Sequence, residues 1–201
     1  MTQTTISEPI LSRPRYGVLA VRTGPGHLMV ADGDGAGAIV DAGLAGDVLA
    51  VTHIIYIPGA NGVDRTGELN ALGAAQFLRA PTFDTALPRL QKVLADARMG
   101  LQIYAAGTEG LMGQVQREVI AAGLPHTALQ MEHRGSLARR VQCVHCKGIT
   151  ENVTLDPFRC SHCGLNLFVR DHYSRRRAAF QGVNIDAEDP GLVPQSAERF
   201  R

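Results

Sequence analysis

The stretch 101-LQIYAAGTEGLMGQVQREVIAAGLPHTALQME-132 predicts a strand, a helix and a second strand, and it decides the fold class. Residues 101–107 form an apolar run of strand length. Thr108 is a suitable N-cap for the helix that follows, and Gly123 is a suitable end for it. Strands joined by a helix at this spacing pair in parallel through a right-handed crossover. The stretch therefore predicts part of a parallel α/β sheet, with its second strand at 127–132.

The residues before this stretch repeat the alternation of strands and helices. The predicted elements are strands at 16–21, 27–31 and 51–59 and helices at 68–78 and 84–97. Asp84 or Thr85 is the predicted N-cap of the second helix. The Gly- and Ala-rich segment 32–47 predicts a loop and a short helix. Residues 15–134 are thus expected to form one small α/β domain with a parallel sheet.

The bulk composition limits the classes of protein that fit. The chain has 201 residues, 45% hydrophobic and 19% charged, so a packed core is expected. Its formal net charge of +1 gives no argument for a nucleic-acid partner. No uncharged apolar stretch of about 18 residues occurs, so we expect no transmembrane helix and no membrane partner.

The two ends of the chain predict little structure. Residues 1–14 are expected to be flexible, and residues 184–201 are expected to form a mobile tail. The N-terminus lacks the apolar region of a signal peptide. Because the four cysteines also occur as two CxxC pairs rather than scattered, the sequence predicts a cytoplasmic protein.

The pairs Cys143-Val-His-Cys146 and Cys160-Ser-His-Cys163 are separated by thirteen residues. Two thiolate pairs at this spacing fold into a small ribbon that binds one metal ion tetrahedrally. Zinc would be structural in such a site, iron would make it a rubredoxin-like electron carrier, and a reactive disulfide pair is a third interpretation. His145 and His162 are expected to be solvated. Gly164 suits the turn after the second pair, whereas Lys147 predicts a less regular turn after the first.

Basic residues concentrate around the cysteines. Residues 135–183 contain eight Arg or Lys and three Asp or Glu, which gives a local net charge of +5. This segment is expected to hold the four-cysteine ribbon and a basic arm at 170–183, in which a helix is one option. Candidates for a surface that docks an acidic partner are Arg139, Arg140, Arg170, Arg175, Arg176 and Arg177. The alternative is a solvated basic face whose arginine stems cover apolar surface.

Residues 84–132 resemble the closing part of the nucleotide-binding lobe of ferredoxin reductases. Ala106-Gly107-Thr108 stands where that family has a Cys-Gly-Pro-like turn, and Leu111-Met112 stands at its following hydrophobic pair. The nearest candidates for a phosphate-binding turn are residues 24–26 and 59–62, and Asp64 adds an unfavourable charge near the second. The sequence leaves open whether this lobe binds a nucleotide or is a degenerate lobe kept for its shape.

The segment 159-RCSHCGLNLFVRDHYSRRRAAFQGV-183 closely resembles the C-terminal region of the small subunit of bacterial dimethylamine monooxygenase, and 168-FVRDHYSRR-176 is its most specific part. The resemblance implies a subunit of an NADPH-dependent oxygenase that converts dimethylamine and O2 to methylamine and formaldehyde. Haem, FMN, an iron–sulfur cluster and NADPH are then expected on a haem-bearing oxygenase subunit and a flavin/iron–sulfur reductase subunit. This chain would assist assembly or electron transfer without catalytic residues of its own.

Two other functions stay open from the sequence. A rubredoxin-like electron carrier fits the four cysteines, and a standalone zinc-ribbon nucleic-acid binder fits the basic segment. Aromatic residues make up only 5% of the chain and it has two lysines, which disfavours the nucleic-acid binder. Adjacent residues in a sequence rarely face one another, so Asp171 and His172 are not expected to form a catalytic pair.

Overall fold

Strands and helices alternate through the first two thirds of the chain in the computed structural model, which describes residues 13–59 and 62–201. Residues 1–12 of the predicted flexible N-terminus lie outside the described residues. The elements are β1 (His27–Asp32), α1 (Gly35–Asp41), α2 (Gly46–Leu49), β2 (Thr52–Ile57), α3 (Thr66–Ala71), β3 (Gln76–Arg79), α4 (Phe83–Ala95), β4 (Gln102–Gly107), α5 (Glu109–Ala121) and β5 (Leu129–His133).

The five strands form one sheet in the order β3-β2-β1-β4-β5, and all neighbouring strands are parallel. Alternate side chains point to opposite faces of a strand. Leu28 and Val30 of β1 accordingly pack in a core with α4 and α5. Met29 and Ala31 pack in a second core with α1 and α3. The predicted small α/β lobe with a parallel sheet is confirmed.

The two long helices begin at threonine caps. The Thr108 side chain accepts a hydrogen bond from the Leu111 N–H, as the sequence predicts. At α4 the cap is Thr82, whose side chain accepts from the Thr85 N–H, so the prediction of Asp84 or Thr85 is wrong by two or three residues. Gly123 follows α5 with φ +77°, a conformation that glycine adopts without strain.

Two predicted elements in the lobe are wrong. Residues 16–21 form no strand, since Leu19 N–H donates to the Glu132 side chain and Ala20 N–H donates to the Gln130 side chain of β5. Gly17 N–H donates to the Met131 carbonyl oxygen of β5 at 2.9 Å, and side-chain acceptors replace the backbone acceptors for the N–H groups of Leu19 and Ala20. The helix predicted at 68–78 ends at Ala71, and its last residues belong to β3, because Gly73 reverses the chain at φ +71°.

The remaining strands build a second sheet around the cysteines. They are β6 (Arg139–Cys143), β7 (Ile149–Val153), β8 (Leu155–Asp156), β9 (Phe158–Arg159), β10 (Asn166–Ser174), β11 (Ala179–Asn184) and β12 (Ala197–Glu198). Five of them are ordered β7-β6-β11-β10-β9, and β12 pairs with β8. We call residues 139–184 the cysteine module.

The basic arm at 170–183 is a β-hairpin, so the helical option is wrong. β10 and β11 pair in antiparallel register, with a bulge between Arg170 and Tyr173. The bulge explains the error, since it interrupts the alternation of buried residues that would have indicated a strand. Tyr173 of β10 and Phe180 of β11 pack edge to face, with ring centroids 5.0 Å apart, and this contact stabilises the hairpin.

The last residues of the chain return to the cysteine module, although the sequence predicts a mobile tail over 184–201. β12 pairs with β8, and the Phe200 side chain is buried. The Arg139 guanidinium lies 4.0 Å from the Phe180 ring centroid and 4.1 Å from that of Phe200. The end of the described chain therefore packs on the strand that carries the first cysteine.

The lobe and the cysteine module meet at α5. A Cβ added at Gly113 would lie 2.1 Å from the Tyr173 hydroxyl oxygen, so the absence of a side chain at 113 admits the tyrosine. The Tyr16 hydroxyl donates to Glu109 at the start of the same helix, over 3.0 Å. Among the described residues, no helix combines the length and apolarity needed to cross a bilayer.

Candidate metal centre and sheet-edge cleft

The four cysteine sulfurs converge to a single point of the cysteine module. All four Sγ atoms lie within 4.8 Å of one another. The Cys143 and Cys163 sulfurs are 3.9 Å apart, and those of Cys146 and Cys160 are 3.7 Å apart. Metal–sulfur bonds of about 2.3 Å in a tetrahedron give sulfur–sulfur edges of about 3.8 Å. The arrangement therefore fits one tetrahedrally bound metal ion, and all four thiols are free of disulfides.

Two turns of the same backbone design present the sulfurs. In the first, Cys143 N–H donates to Gly148 O and Lys147 N–H donates to Cys143 O. The second repeats this, because Cys160 N–H donates to Leu165 O and Gly164 N–H donates to Cys160 O. The prediction that the first turn is less regular is wrong. Lys147 adopts the left-handed conformation that Gly164 adopts, with φ values of +64° and +77°.

The pKa values of Cys160 and Cys163 are displaced in opposite directions. Burial raises the pKa of Cys160, but the N–H groups of Cys163 and His162, together with the thiols of Cys163 and Cys146, outweigh it and lower that pKa to about 6. The N–H of Leu165 lowers the pKa of Cys163, yet burial and the adjacent thiols raise it to about 12. Like charges this close do not ionise together. A cation is therefore required before all four groups become thiolates.

His145 and His162 are both exposed, as expected, and His162 has a structural role as well. The His162 Nε2 atom lies 2.8 Å from the Ile149 carbonyl oxygen, which joins the two cysteine turns. A Cβ added at Gly148 would lie 2.4 Å from the His162 ring, so glycine at 148 makes room for the imidazole.

Substitutions at the two left-handed turn positions, Lys147 and Gly164, are expected to change the free energy of unfolding in opposite directions. Lys147→Gly is expected to raise the free energy of unfolding of the metal-loaded protein by about 0.5–1 kcal/mol, because it removes the strain of a side chain at positive φ. Gly164→Ala is expected to lower it by about 1 kcal/mol for the converse reason. The added methyl group itself has room, since its nearest neighbour is the flexible end of Arg159 at 3.4 Å. Chemical denaturation checks both values, and changes of the same sign would contradict the shared geometry.

A second candidate site is a cleft of about 580 Å³ at the carboxyl ends of the parallel strands. The turn after β1 and the residues after β2 line one side of the cleft. Glu151, Asn152 and Thr154 of the cysteine module line the other side. In doubly wound sheets, ligands bind at this edge where the strand order reverses, here between β1 and β4. The fold thus puts the cleft where a dinucleotide would bind.

The glycine-rich turn of this cleft is Gly33-Asp34-Gly35-Ala36-Gly37, which connects β1 to α1 and includes the first three residues of the helix. Sequence reasoning missed it and proposed 24–26 and 59–62 instead. Residues 24–26 precede β1 and lie at the opposite, amino edge of the sheet. Residues 59–62 adjoin the cleft, but Ala60 and Asn61 lie outside the described residues. The signal was available, since alternate glycines directly follow the strand at 27–32 and precede a helix.

The residues of the cleft do not fit a pyrophosphate. The Asp32 carboxylate already occupies the N-terminus of α5, where it accepts from Thr108 N–H at 2.8 Å and from Thr108 Oγ1 at 2.6 Å. Burial raises the pKa of Asp32 while these hydrogen bonds lower it, and burial has the larger effect. Asp34 stands at the N-cap of α1, the other helix start that would face a phosphate.

The one cation among the described lining residues, Arg134, does not offset these carboxylates. Its Nη2 atom lies 2.6 Å from Glu132 and 3.0 Å from Asp41. Asp32 and Asp34 therefore already place carboxylates at the N-termini of α5 and α1. The guanidinium of Arg134 is already paired with carboxylates of the chain.

The candidate basic residues fall into three groups. Arg170, in β10, is exposed, and its guanidinium lies 5.5 Å from the Phe168 ring centroid. Arg139 and Arg140 are largely buried and ion-paired, to Asp171 at 2.8 Å and Glu151 at 2.7 Å respectively. Arg175, Arg176 and Arg177 are exposed in the turn between β10 and β11. Asp171 is engaged by Arg139, and the absence of a catalytic pair at Asp171 and His172 stays a prediction.

Comparisons with known proteins agree with this architecture. Residues 8–129 match the family "Dimethylamine monooxygenase subunit DmmA-like, N-terminal domain" and residues 140–183 match its C-terminal domain. The chain is 32% identical over 153 residues to the heme-dependent oxidative N-demethylase delta subunit of Ectopseudomonas mendocina (strain ymp), covering 72% of this chain and 87% of that protein.

Two solved structures align with part of the chain at low sequence identity. A FAD/NAD-binding domain of nitric oxide dioxygenase from Vibrio cholerae O1 biovar El Tor aligns with TM-score 0.42 and 16% identity, over 61% of this chain and 56% of that one. The ferredoxin reductase in carbazole 1,9a-dioxygenase aligns with TM-score 0.39 and 16% identity, over 61% and 35%. The two family matches and the delta-subunit relative show that the chain belongs to the dimethylamine monooxygenase subunit DmmA-like family.

Proposed function

We propose that this chain is a subunit of an NADPH-dependent dimethylamine monooxygenase, which converts dimethylamine and O2 to methylamine and formaldehyde. Its role is to assemble the complex or to support electron transfer, and oxygen is activated on another subunit. The observation that carries the proposal is the four-sulfur cluster inside the segment that matches the family's C-terminal domain. A closed metal site of this kind organises a surface that other subunits recognise.

We propose zinc as the ion held by Cys143, Cys146, Cys160 and Cys163. A closed set of four thiolates leaves no open position for a substrate, which suits structural zinc. A rubredoxin-like iron site is the second candidate, since iron takes the same ligands. In its favour, Cys146 and Cys163 are only partly buried, so electrons would have a short path to the surface.

The redox cofactors are proposed for partner subunits. Haem is assigned to an oxygenase subunit, and FMN, an iron–sulfur cluster and NADPH are assigned to a reductase subunit. Support comes from the relative named the delta subunit of a heme-dependent oxidative N-demethylase. The carboxylates in the sheet-edge cleft also support a location of NADPH elsewhere. We place the complex in the cytoplasm, because clustered free thiols persist in a reducing compartment.

The test is purification of the tagged chain from its native host with elemental analysis. We expect a haem protein and a flavin reductase to co-purify and the separated chain to be colourless with one zinc. A red chain that bleaches on reduction would favour iron. Absence of both partner proteins from the purified material would overturn the proposal.

A further inference from the structure

Three consecutive arginines, Arg175, Arg176 and Arg177, occupy the turn between β10 and β11, and we call them the arginine turn. All three are exposed. Within residues 13–59 and 62–201, their guanidinium groups form no ion pair with a carboxylate, whereas Arg139 and Arg140 in the same module do. The arginine turn is thus a concentrated positive charge that the described part of the chain does not neutralise.

The backbone of the arginine turn is held in place by a buried neighbour. Arg140 Nη1 donates to Arg177 O at 2.8 Å and to Ala178 O at 3.4 Å. The same guanidinium donates through Nε to Glu151 of β7 at 2.7 Å. Arg177 N–H also donates to Ser174 O at 3.1 Å. A turn fixed in this way loses little conformational entropy when a partner binds it.

The hairpin that presents the arginine turn starts at the sulfur cluster. β10 begins at Asn166, shortly after Cys163, and Gly182 of β11 pairs with Cys143 of β6. Near the turn, Tyr173 packs against Phe180 and reaches Gly113 of α5. The metal centre and the lobe therefore fix the two ends of the hairpin.

The exposed guanidinium groups of the arginine turn favour a carboxylate-rich protein surface as their partner. A guanidinium binds a carboxylate through two parallel hydrogen bonds, which gives direction as well as charge. Binding of single-stranded nucleic acid relies on exposed aromatic rings as stacking platforms. The rings next to this turn are buried, at 7% exposure for Tyr173 and 1% for Phe180.

We propose that the arginine turn docks on an acidic face of a partner subunit, and this rests on the proposed function as a subunit of a complex. The arginines steer the encounter and set its register, while the cysteine module holds them at a fixed angle to α5.

The test combines Arg175→Glu, Arg176→Glu and Arg177→Glu in the tagged full chain, purified from the native host with its partners. Haem and flavin absorbance per tagged chain is measured at increasing NaCl. We expect the wild-type complex to weaken as salt increases. At low salt, the amount of partner protein bound to the variant should be lower than that bound to the wild type by at least about tenfold. Metal content and the thermal transition should match the wild type, because the three side chains are exposed.

Two matched variants control for charge and position. Replacing the same three arginines with lysines keeps the charge and should retain most of the partner protein at low salt. Arg22→Glu with Arg98→Glu reverses two exposed arginines of the lobe and should leave the complex unchanged. Full retention by the triple glutamate variant, or equal loss in the lobe control, would overturn the docking proposal.

A second arm separates this inference from the proposed function. The isolated wild-type chain is applied to immobilised poly-glutamate and to immobilised duplex DNA, beside the triple glutamate variant. Retention of the wild type on poly-glutamate, and its loss in the variant, supports the arginine turn even if no haem or flavin protein co-purifies. Equal elution of both proteins, or tighter retention on DNA than on poly-glutamate, argues against an acidic protein surface.

Discussion

Replacing Cys160 with serine is expected to release the metal ion, unfold the cysteine module and detach the chain from its complex. A hydroxyl at 160 is a poor fourth ligand, and the other three sulfurs lose the cation that allows them to be thiolates. Structural zinc supplies about 10–16 kcal/mol in zinc-finger peptides, so loss of the proposed zinc is expected to remove most of the module's stability. Its hydrophobic core is small, with Val141, Leu167 and Phe180 at its centre.

The neighbouring Ser161→Ala variant is the matched control. Ser161 lies next to the ligand, and its hydroxyl oxygen lies 3.0 Å from Thr150 Oγ1. Removing it should lower the free energy of unfolding by no more than about 1 kcal/mol and leave the metal content unchanged. Elemental analysis, amide hydrogen exchange of residues 139–184 and co-purification together measure the effect. A Cys160→Ser protein that keeps its zinc, its protected amides and its partners would refute the assignment.

Gly35→Ala is expected to lower the free energy of unfolding of the lobe by about 3 kcal/mol. Gly35 opens α1 directly above β4, and an added Cβ would lie 2.1 Å from the Ala106 carbonyl oxygen and 2.7 Å from Gly107 N. Both contacts are with backbone of a central strand, so no side-chain rotation relieves them. The helix would have to move away from the sheet and open the core around Ile39.

Gly67→Ala serves as the control for the loss of a glycine. Gly67 lies in α3, it is exposed, and nothing lies within 4 Å of an added Cβ. Alanine there should raise the free energy of unfolding by about 0.5–1 kcal/mol through helix propensity. Urea denaturation followed by far-UV circular dichroism measures both variants. A cost below about 1 kcal/mol for Gly35→Ala would show that α1 does not need its close approach to β4.

The parts of the fold that follow local rules were predictable from the sequence. Hydrophobic periodicity indicates α4, α5 and the central strands, and Thr108 and Gly123 mark helix ends because caps depend on neighbouring residues. The predictions are wrong where contacts between residues distant in sequence determine the local structure. Residues 16–21 have strand-like composition, but the N–H groups of Leu19 and Ala20 donate to side chains of β5 instead of its backbone. The bulge in β10 likewise hides the pattern of a strand.

The same distinction applies to the candidate sites. The four cysteines were predictable, because the CxxC spacing places two sulfurs on one turn whatever surrounds it. The character of the sheet-edge cleft was not, since Asp32 and Thr108 are remote in sequence and become neighbours only through the pairing of β1 with β4. The role of Arg140 was equally hidden, because it depends on a turn that lies far along the chain.

The contact between Gly113 and Tyr173 constrains how sequences of this family can diverge. The tyrosine hydroxyl fills the volume that any side chain at 113 would need. A member with a larger residue at 113 must therefore carry a shorter one at 173, and the two positions should change together. This contact couples sequence change in the lobe to sequence change in the cysteine module. A chimaera that exchanges only one of the two must therefore keep residues 113 and 173 compatible with each other.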